Sequence, residues 1–380
     1  NHQQKKILRT ASNDSVINVL AGLNRCFRRN RWVSSTNRYI VKTIPKLKRH
    51  NLNDVNHNRD LASYIAVSAI LHCFDGWIYL GNAISALSSG DAHTSHHLAY
   101  YAELRAAMSL LAGEGIGVFS NKHYVLDDKA QCVDIGTKEG THIFSWLALE
   151  HWAGLVRSDK LLQQVISPSG IPLSVWLSGF RAGVNSTIVG SNWLRSWGLD
   201  LKTIGHDHEG RNEVSYRPNY LVYQPPVDVI ETSNYVQHLW ELFQPFGGSR
   251  FEVLDRFLLK ASIRKIFTAI TGLTPEDDLP GYRRRVEEML RVVNPPGLPR
   301  ESWIAFLIND QQSLILDAAS VFEEVTFSNR HHLSVIARAS LLLRVATGSV
   351  SKNLSASSTN RDDISFWWKS YGKDFGLLNS

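Results

Sequence analysis

Cysteine is scarce in this chain: Cys26, Cys73 and Cys132 are the three in 380 residues, an odd number, widely spaced and without a CxxC pair. That excludes a disulfide-stapled scaffold and a cysteine zinc knuckle, and it points to a reducing, cytoplasmic setting. Long hydrophobic runs are also missing. The best membrane candidate, 61–74, has 14 residues and ends at Asp75. A bilayer span needs about 20, so a buried helix and no membrane contact are expected. No segment has the charged, apolar, small-residue order of a signal peptide. Asn1 in place of a Met sets the expectation of a trimmed start. Three catalytic signatures are absent too. There is no GxxxxGK[ST] phosphate loop, no GxSxG elbow, and no Asp followed by Glu-x-Lys on strand-like sequence. The chain is therefore not expected to hydrolyse ATP or to carry an α/β-hydrolase or restriction-type nuclease centre.

Acid is nearly absent from the first 50 residues, which hold twelve Lys and Arg against a single carboxylate, Asp14. This front carries +11, while residues 51–380, with 29 basic and 34 acidic side chains, carry −5. Such asymmetry is the footprint of an arm or subdomain that meets a polyanion. The candidate nucleic-acid contacts are Arg25, Arg28, Arg29, Arg31, Arg38, Lys46, Lys48 and Arg49, interleaved with Phe27, Trp32, Tyr39 and Ile40. Phosphate contact with packing behind it suits that mixture. Docking on an acidic protein surface and a merely solvated face are the other two readings.

Hydrophobic residues make up 43% and charged residues 20%, a globular composition. The length suggests two or three units. Apolar spacing predicts helices over 13–28, capped by Asn13 or Ser15, and over 61–89 and 94–112. The last two form an antiparallel pair, with Gly76 and Gly81 breaking or kinking the first. Asp91, Thr94 or Ser95 is the expected cap of the second. The β-branched stretch 36–46 reads as a short strand or extended arm ended by Pro45, and 50–59 as an Asn-rich loop. A hairpin is expected over 123–133. Further helices are expected over 141–158, 173–180, 192–198, 234–271, 281–293, 304–322 and 332–347, with a Pro-bounded extended piece at 218–226. Residues 348–363, polar and Ser-rich, read as a mobile linker leading to an aromatic tail. Gly113, Gly115 and Gly117 follow a helix, not a strand, which excludes a dinucleotide-binding loop.

Residues 96–123 read HHLAYYAELRAAMSLLAGEGIGVFSNKH and 210–216 read GRNEVSY. The first resembles a helix of the HEPN superfamily and of YaaC-like helical proteins: paired Tyr, small-residue-rich helix, Gly turn, His-bearing stretch. The second resembles the HEPN segment in which an Arg and a polar neighbour precede a His. In that resemblance Arg211 takes the Arg position, Asn212 the polar neighbour, and Tyr216 stands where ribonuclease members carry His. The resemblance implies a helical bundle, a prokaryotic setting and a role in defence against phage or plasmids. Ribonuclease members cleave RNA without metal, using Arg and His at the ribose and phosphate. A Tyr, with a pKa near 10, is a poor base at neutral pH. His206 and His208 of the HDHE run 206–209 are the candidates to replace the missing base. The plainer alternative for 209–216 is a helix start with Arg211 paired to Glu209 or Glu213. HDHE is also the densest run of metal-ligand residue types, yet no HxH-plus-carboxylate partner supports it, and no metal or other cofactor is expected.

The fold expected is mainly α. A basic N-terminal arm (1–59) precedes a HEPN-like helical core (60–272), a C-terminal helical region (273–347) and the linker and tail (348–380). The expected function is a largely non-catalytic nucleic-acid-binding or scaffolding subunit of a prokaryotic defence complex. Its partners would be DNA or RNA and other protein subunits, among them an ATPase or nuclease chain. A metal-independent endoribonuclease is the second reading. The third is a protein-interaction module, marked by Trp367, Trp368 and Tyr371 in the tail.

Overall fold

The computed structural model describes residues 2–49, 54–181, 190–201, 204, 228–244, 251–321, 331–367 and 369. The described chain is mainly helical, with one small three-stranded antiparallel sheet. It divides into two compact units, Asn1–Gly76 with Leu104–Trp152 and Ala346–Ser380, and Trp77–Glu103 with Ala153–Val345.

In the first unit, helices α1 (His2–Arg9) and α2 (Asn13–Phe27) are separated by Ser12, whose hydroxyl accepts the Ser15 amide. The expected caps Asn13 and Ser15 are used otherwise. The Ser15 hydroxyl donates to the Asp127 carbonyl at 2.7 Å, and the Asn13 amide to the Gly113 carbonyl at 2.7 Å. Val16, Leu20, Leu23 and Phe27 form the buried stripe of α2. The strand expected at 36–46 is overturned: this stretch is turns followed by helix α3 (Thr43–Leu47). Pro45 lies within the first turn, where its missing N–H costs nothing.

Helix α4 (Val55–Ser88) starts inside the expected loop 50–59, capped by the Asp54 carboxylate, which accepts the Asn56 and His57 amides. It runs unbroken through Gly76 and Gly81, so the expected break is absent. Helix α5 (Ala92–Gly113) begins at Asp91, whose carboxylate accepts the Thr94 amide at 2.9 Å, as one of the expected caps. In this unit α4 and α5 are antiparallel. The Ser109 hydroxyl donates to the Ala69 carbonyl at 2.6 Å, and Arg105 meets His72 at 2.8 Å. Buried Ala66, Ala69, Ala106 and Ala112 let the two backbones approach.

Strands β1 (Ile116–Phe119), β2 (Lys122–Leu126) and β3 (Cys132–Asp134) form a meander, one strand more than the expected hairpin. Gly115 makes the turn from α5 into β1 at φ +87°, where a Cβ would lie 3.0 Å from the Leu126 carbonyl oxygen and the Ser12 nitrogen. This is the physical use of the glycine cluster. Helix α6 (Thr141–Ala153) adds Trp152, whose indole donates to buried Glu114 at 2.9 Å.

The second unit contains α7 (Val156–Val165), α8 (Leu173–Phe180), α9 (Gly190–Ser196), α10 (Val229–Phe243), α11 (Glu252–Thr271), α12 (Leu279–Val293), α13 (Arg300–Ile308) and α14 (Leu314–Ser320). Its core holds Trp176, Trp193, Trp197, Trp303, Tyr235 and Tyr282, all fully buried. Polar tips find partners: the Trp197 indole donates to Ser262 at 3.0 Å and the Tyr235 hydroxyl to the Leu333 carbonyl at 2.7 Å. Helix α15 (His331–Ala356) closes the list.

Residues 348–356 therefore belong to α15, which overturns the linker expected at 348–363. Asn353 is buried and donates to the Gly113 carbonyl at 3.2 Å while accepting from Asn13 at 2.9 Å. Two side chains thus cap the C-terminal carbonyls of α5. By length and composition α4 and residues 332–356 are apolar enough to cross a membrane. Of their most apolar windows, 56% and 89% respectively lie buried inside the protein.

Candidate nucleic-acid interface

The basic front of the first unit is a tied-down surface whose side chains point outward. Arg25 occupies the last turn of α2 and Arg28 its C-cap, where cations complement the negative helix end. The chain then turns through Asn30 at φ +56°, with the Arg29 and Arg31 amides both bonded to the Cys26 carbonyl. Trp32 anchors this turn. Its ring packs against Phe27 at 5.9 Å, Phe74 of α4 at 6.2 Å and Phe366 at 5.1 Å.

Asn37 anchors the next stretch. It is buried, donates to the Asp60 carbonyl at 2.8 Å and accepts the Tyr39 amide at 2.9 Å. Arg38 pairs with the Asp60 carboxylate at 3.1 Å. Lys46 donates to the Arg38 carbonyl, and the Leu47 carbonyl accepts the Tyr124 hydroxyl at 3.3 Å. Burial pushes the Tyr124 phenol up to about 12 and raises Tyr39 further, so both stay neutral donors at any working pH.

Arg25, Arg28, Arg29, Arg31, Lys46, Lys48 and Arg49 are exposed, and Arg38 is half-buried. Among the described residues, Arg28 and Arg38 have carboxylate partners, Asp363 at 3.3 Å and Asp60. The guanidinium groups of Arg25, Arg29, Arg31 and Arg49 and the Lys48 amine have no ion pair there. Ile40 and Val41, 49% and 62% exposed, break the charge with a small apolar tip. Neither acid is foreseeable, since nothing local marks a partner 22 residues away for Arg38 or 335 residues away for Arg28.

The proposed catalytic residues His206, His208, Arg211, Asn212 and Tyr216 lie outside the described residues, as do the 218–226 piece, Trp368 and Tyr371. Trp367 is described, and its ring stacks on Phe74 at 3.7 Å and 15°. Among the described residues no group of three or more His, Cys, Asp or Glu side chains is placed to hold a metal. None of the three cysteines is in a disulfide, and burial pushes Cys132 up to about 12.

Three polar clusters, two of them buried, escaped the sequence reading. On α4 and α5, Arg105 bonds His72 and lies 3.6 Å from the Asp75 carboxylate. Burial, then the Arg105 charge, pushes His72 down to about 3, so it is neutral and accepts at Nδ1. The His72/Asp75 spacing of one helical turn was the available signal. In the second unit the Arg344 guanidinium grips Asp255 through two bonds of 2.8 and 2.7 Å and donates to the Val165 carbonyl at 2.7 Å. Lys260 donates to Asn309 and, at 2.6 Å, to the Gln311 carbonyl. Burial, reinforced by Arg264, pushes its amine down to about 8. The Arg344 and Lys260 side chains each tie two or more distant segments together, which makes these clusters braces.

No family model, no curated protein and no solved structure matches the chain.

Proposed function

We propose that this protein is a nucleic-acid-binding subunit whose contact face is the basic front of the first unit. The carrying observation is the set of exposed cations, Arg25, Arg29, Arg31, Lys48 and Arg49, that no described carboxylate neutralises. Maintaining such a field costs self-repulsion, and a polyanion relieves it while releasing its own counterions. The tied backbone beneath supports the same reading, because a surface fixed before binding loses less entropy than an arm that must order.

The finer assignment, a HEPN-like bundle in a prokaryotic defence complex, rests on the resemblance at 96–123 and 210–216. Within it, Tyr216 in the His position favours binding or scaffolding, with chemistry supplied by another cytoplasmic chain. The metal-independent ribonuclease, built on Arg211, Asn212 and His206 or His208, is the second reading, and it is carried by the same resemblance.

Fluorescence anisotropy with labelled RNA and DNA tests the contact face. Replacing Arg25, Arg29 and Arg31 by Gln should weaken binding, while replacing the exposed Arg284 and Arg291 of α12 should not. Equal losses from both sets would mean that net charge, and not this surface, drives binding.

A further inference from the structure

The residues that follow α15 lie back along α2. The Thr359 hydroxyl donates to Asn24 at 2.7 Å, the Asn24 amide donates to the Ser357 carbonyl at 3.3 Å, and Ile364 is buried. Beyond that root, three side chains meet the basic front in order. The Asp363 carboxylate sits 3.3 Å from Arg28 Nε, the Phe366 ring lies 5.1 Å from Trp32 and tilted by 55°, and the Trp367 ring stacks on Phe74 at 3.7 Å and 15°.

An anion on a guanidinium followed by two rings on two aromatic platforms is the contact pattern of a single-stranded nucleic acid. A phosphate takes the Arg, and successive unstacked bases take the rings. A duplex cannot use it, because its bases are already stacked and paired. Along the chain Arg28 and Trp32 are also flanked by Arg25, Arg29 and Arg31, which no described carboxylate neutralises. Phe74, Trp32, Phe366 and Trp367 are all half-buried, so the covering rings sit at the surface and not in a sealed core. The Arg28 side chain is 63% exposed, and an ion pair in that setting is weakly held.

We propose that Arg28, Trp32 and Phe74 form a base-stacking subsite for single-stranded nucleic acid, covered in the free protein by the chain's own Asp363, Phe366 and Trp367. This rests on the nucleic-acid reading above and adds to it a polymer form and a competitor. The covering residues act as a nucleotide mimic that single strands displace and duplexes do not.

The test uses the full chain and a labelled oligonucleotide, single-stranded or annealed to its complement, read by anisotropy at one salt concentration. The triple variant Asp363→Asn/Phe366→Ala/Trp367→Ala is expected to bind the single strand about tenfold more tightly, the scale of one uncovered stacking contact. Duplex affinity should rise far less, since a duplex gains the Arg28 charge but no stacking contact. Adding Trp32→Ala to the triple variant should cancel the gain. If the triple variant loses its folded circular dichroism, Asp363→Asn alone is read in its place, with a smaller gain in the same direction. Unchanged or weaker single-strand binding by a folded variant overturns the subsite and leaves the basic face standing. A gain shared equally by the duplex overturns it as well, since removal of one negative charge would then explain everything. Absence of binding to either polymer by every form, wild type included, would overturn the basic face itself.

Discussion

Salt dependence gives the contact face a number. Of the candidate contacts, seven are exposed: Arg25, Arg28, Arg29, Arg31, Lys46, Lys48 and Arg49. Each cation that neutralises a duplex phosphate contributes about −0.9 to the slope of log affinity against log salt. A duplex engaging the whole surface should therefore give a slope near −6. Gln at Arg25, Arg29 and Arg31 removes charges that hold no described partner, so the fold beneath should be undisturbed. The slope should then fall to about −3.6. Arg38 is left intact because its pairing with Asp60 at 3.1 Å fixes the loop. Anisotropy titrations at several sodium chloride concentrations read both slopes. A triple variant with weaker affinity and the wild-type slope would refute the reasoning, since the lost affinity would not be phosphate contact.

Other outcomes follow from the buried groups. Arg344→Met should cost about 3–5 kcal/mol in urea unfolding, because it leaves Asp255 buried without its cation; a loss under about 1 kcal/mol would show that the pair is not a brace. Asn353→Ala should cost about 1–3 kcal/mol by removing one acceptor of the Asn13 amide and one of the two side-chain bonds to the Gly113 carbonyl, read as a lower denaturation midpoint at unchanged m-value. His123 is buried, stacks on Phe144 at 3.8 Å, accepts the Phe119 amide and donates to the Glu139 carbonyl. Burial pushes it down to about 4, below its unfolded value, so only the unfolded chain gains a proton first as pH falls. Its contribution is whole above about pH 6.5 and is lost below it, on the order of 2 kcal/mol by pH 5. His123→Gln should flatten stability between pH 7 and 5, and an unaltered pH profile would contradict the assignment.

Much of the helical architecture is legible in the sequence because it rests on local pattern. Leu173–Phe180 follows directly from its apolar spacing, and Asp91 caps α5 as its position predicts. The basic front is legible because charge needs no partner to be counted. What the sequence hides depends on distance. Ile40, Val41, Thr43 and Ile44 favour a strand, but among the described residues no strand pairs with them. The bonds of Asn37 to Asp60 and of Lys46 to Arg38 set turns and a short helix instead. Residues 348–356 look like linker because they are polar. Yet Ser349 and Asn353 are buried beside Gly113, so their polarity serves α5 and not solvent. Gly76 and Gly81 weaken a helix by roughly 1 kcal/mol each, too little to break a helix of 34 residues. Asp363 meets Arg28 across almost the whole chain, which no local reading can reach.

Incubating the purified full chain with labelled RNA and DNA, with and without EDTA and across a salt series, reads binding and cleavage together. The account predicts binding to nucleic acid that weakens steeply with salt and leaves the polymer intact. Absence of binding at low salt, or affinity indifferent to salt, would contradict it. RNA cleavage that survives EDTA would contradict the non-catalytic role and move the centre of the protein to Arg211.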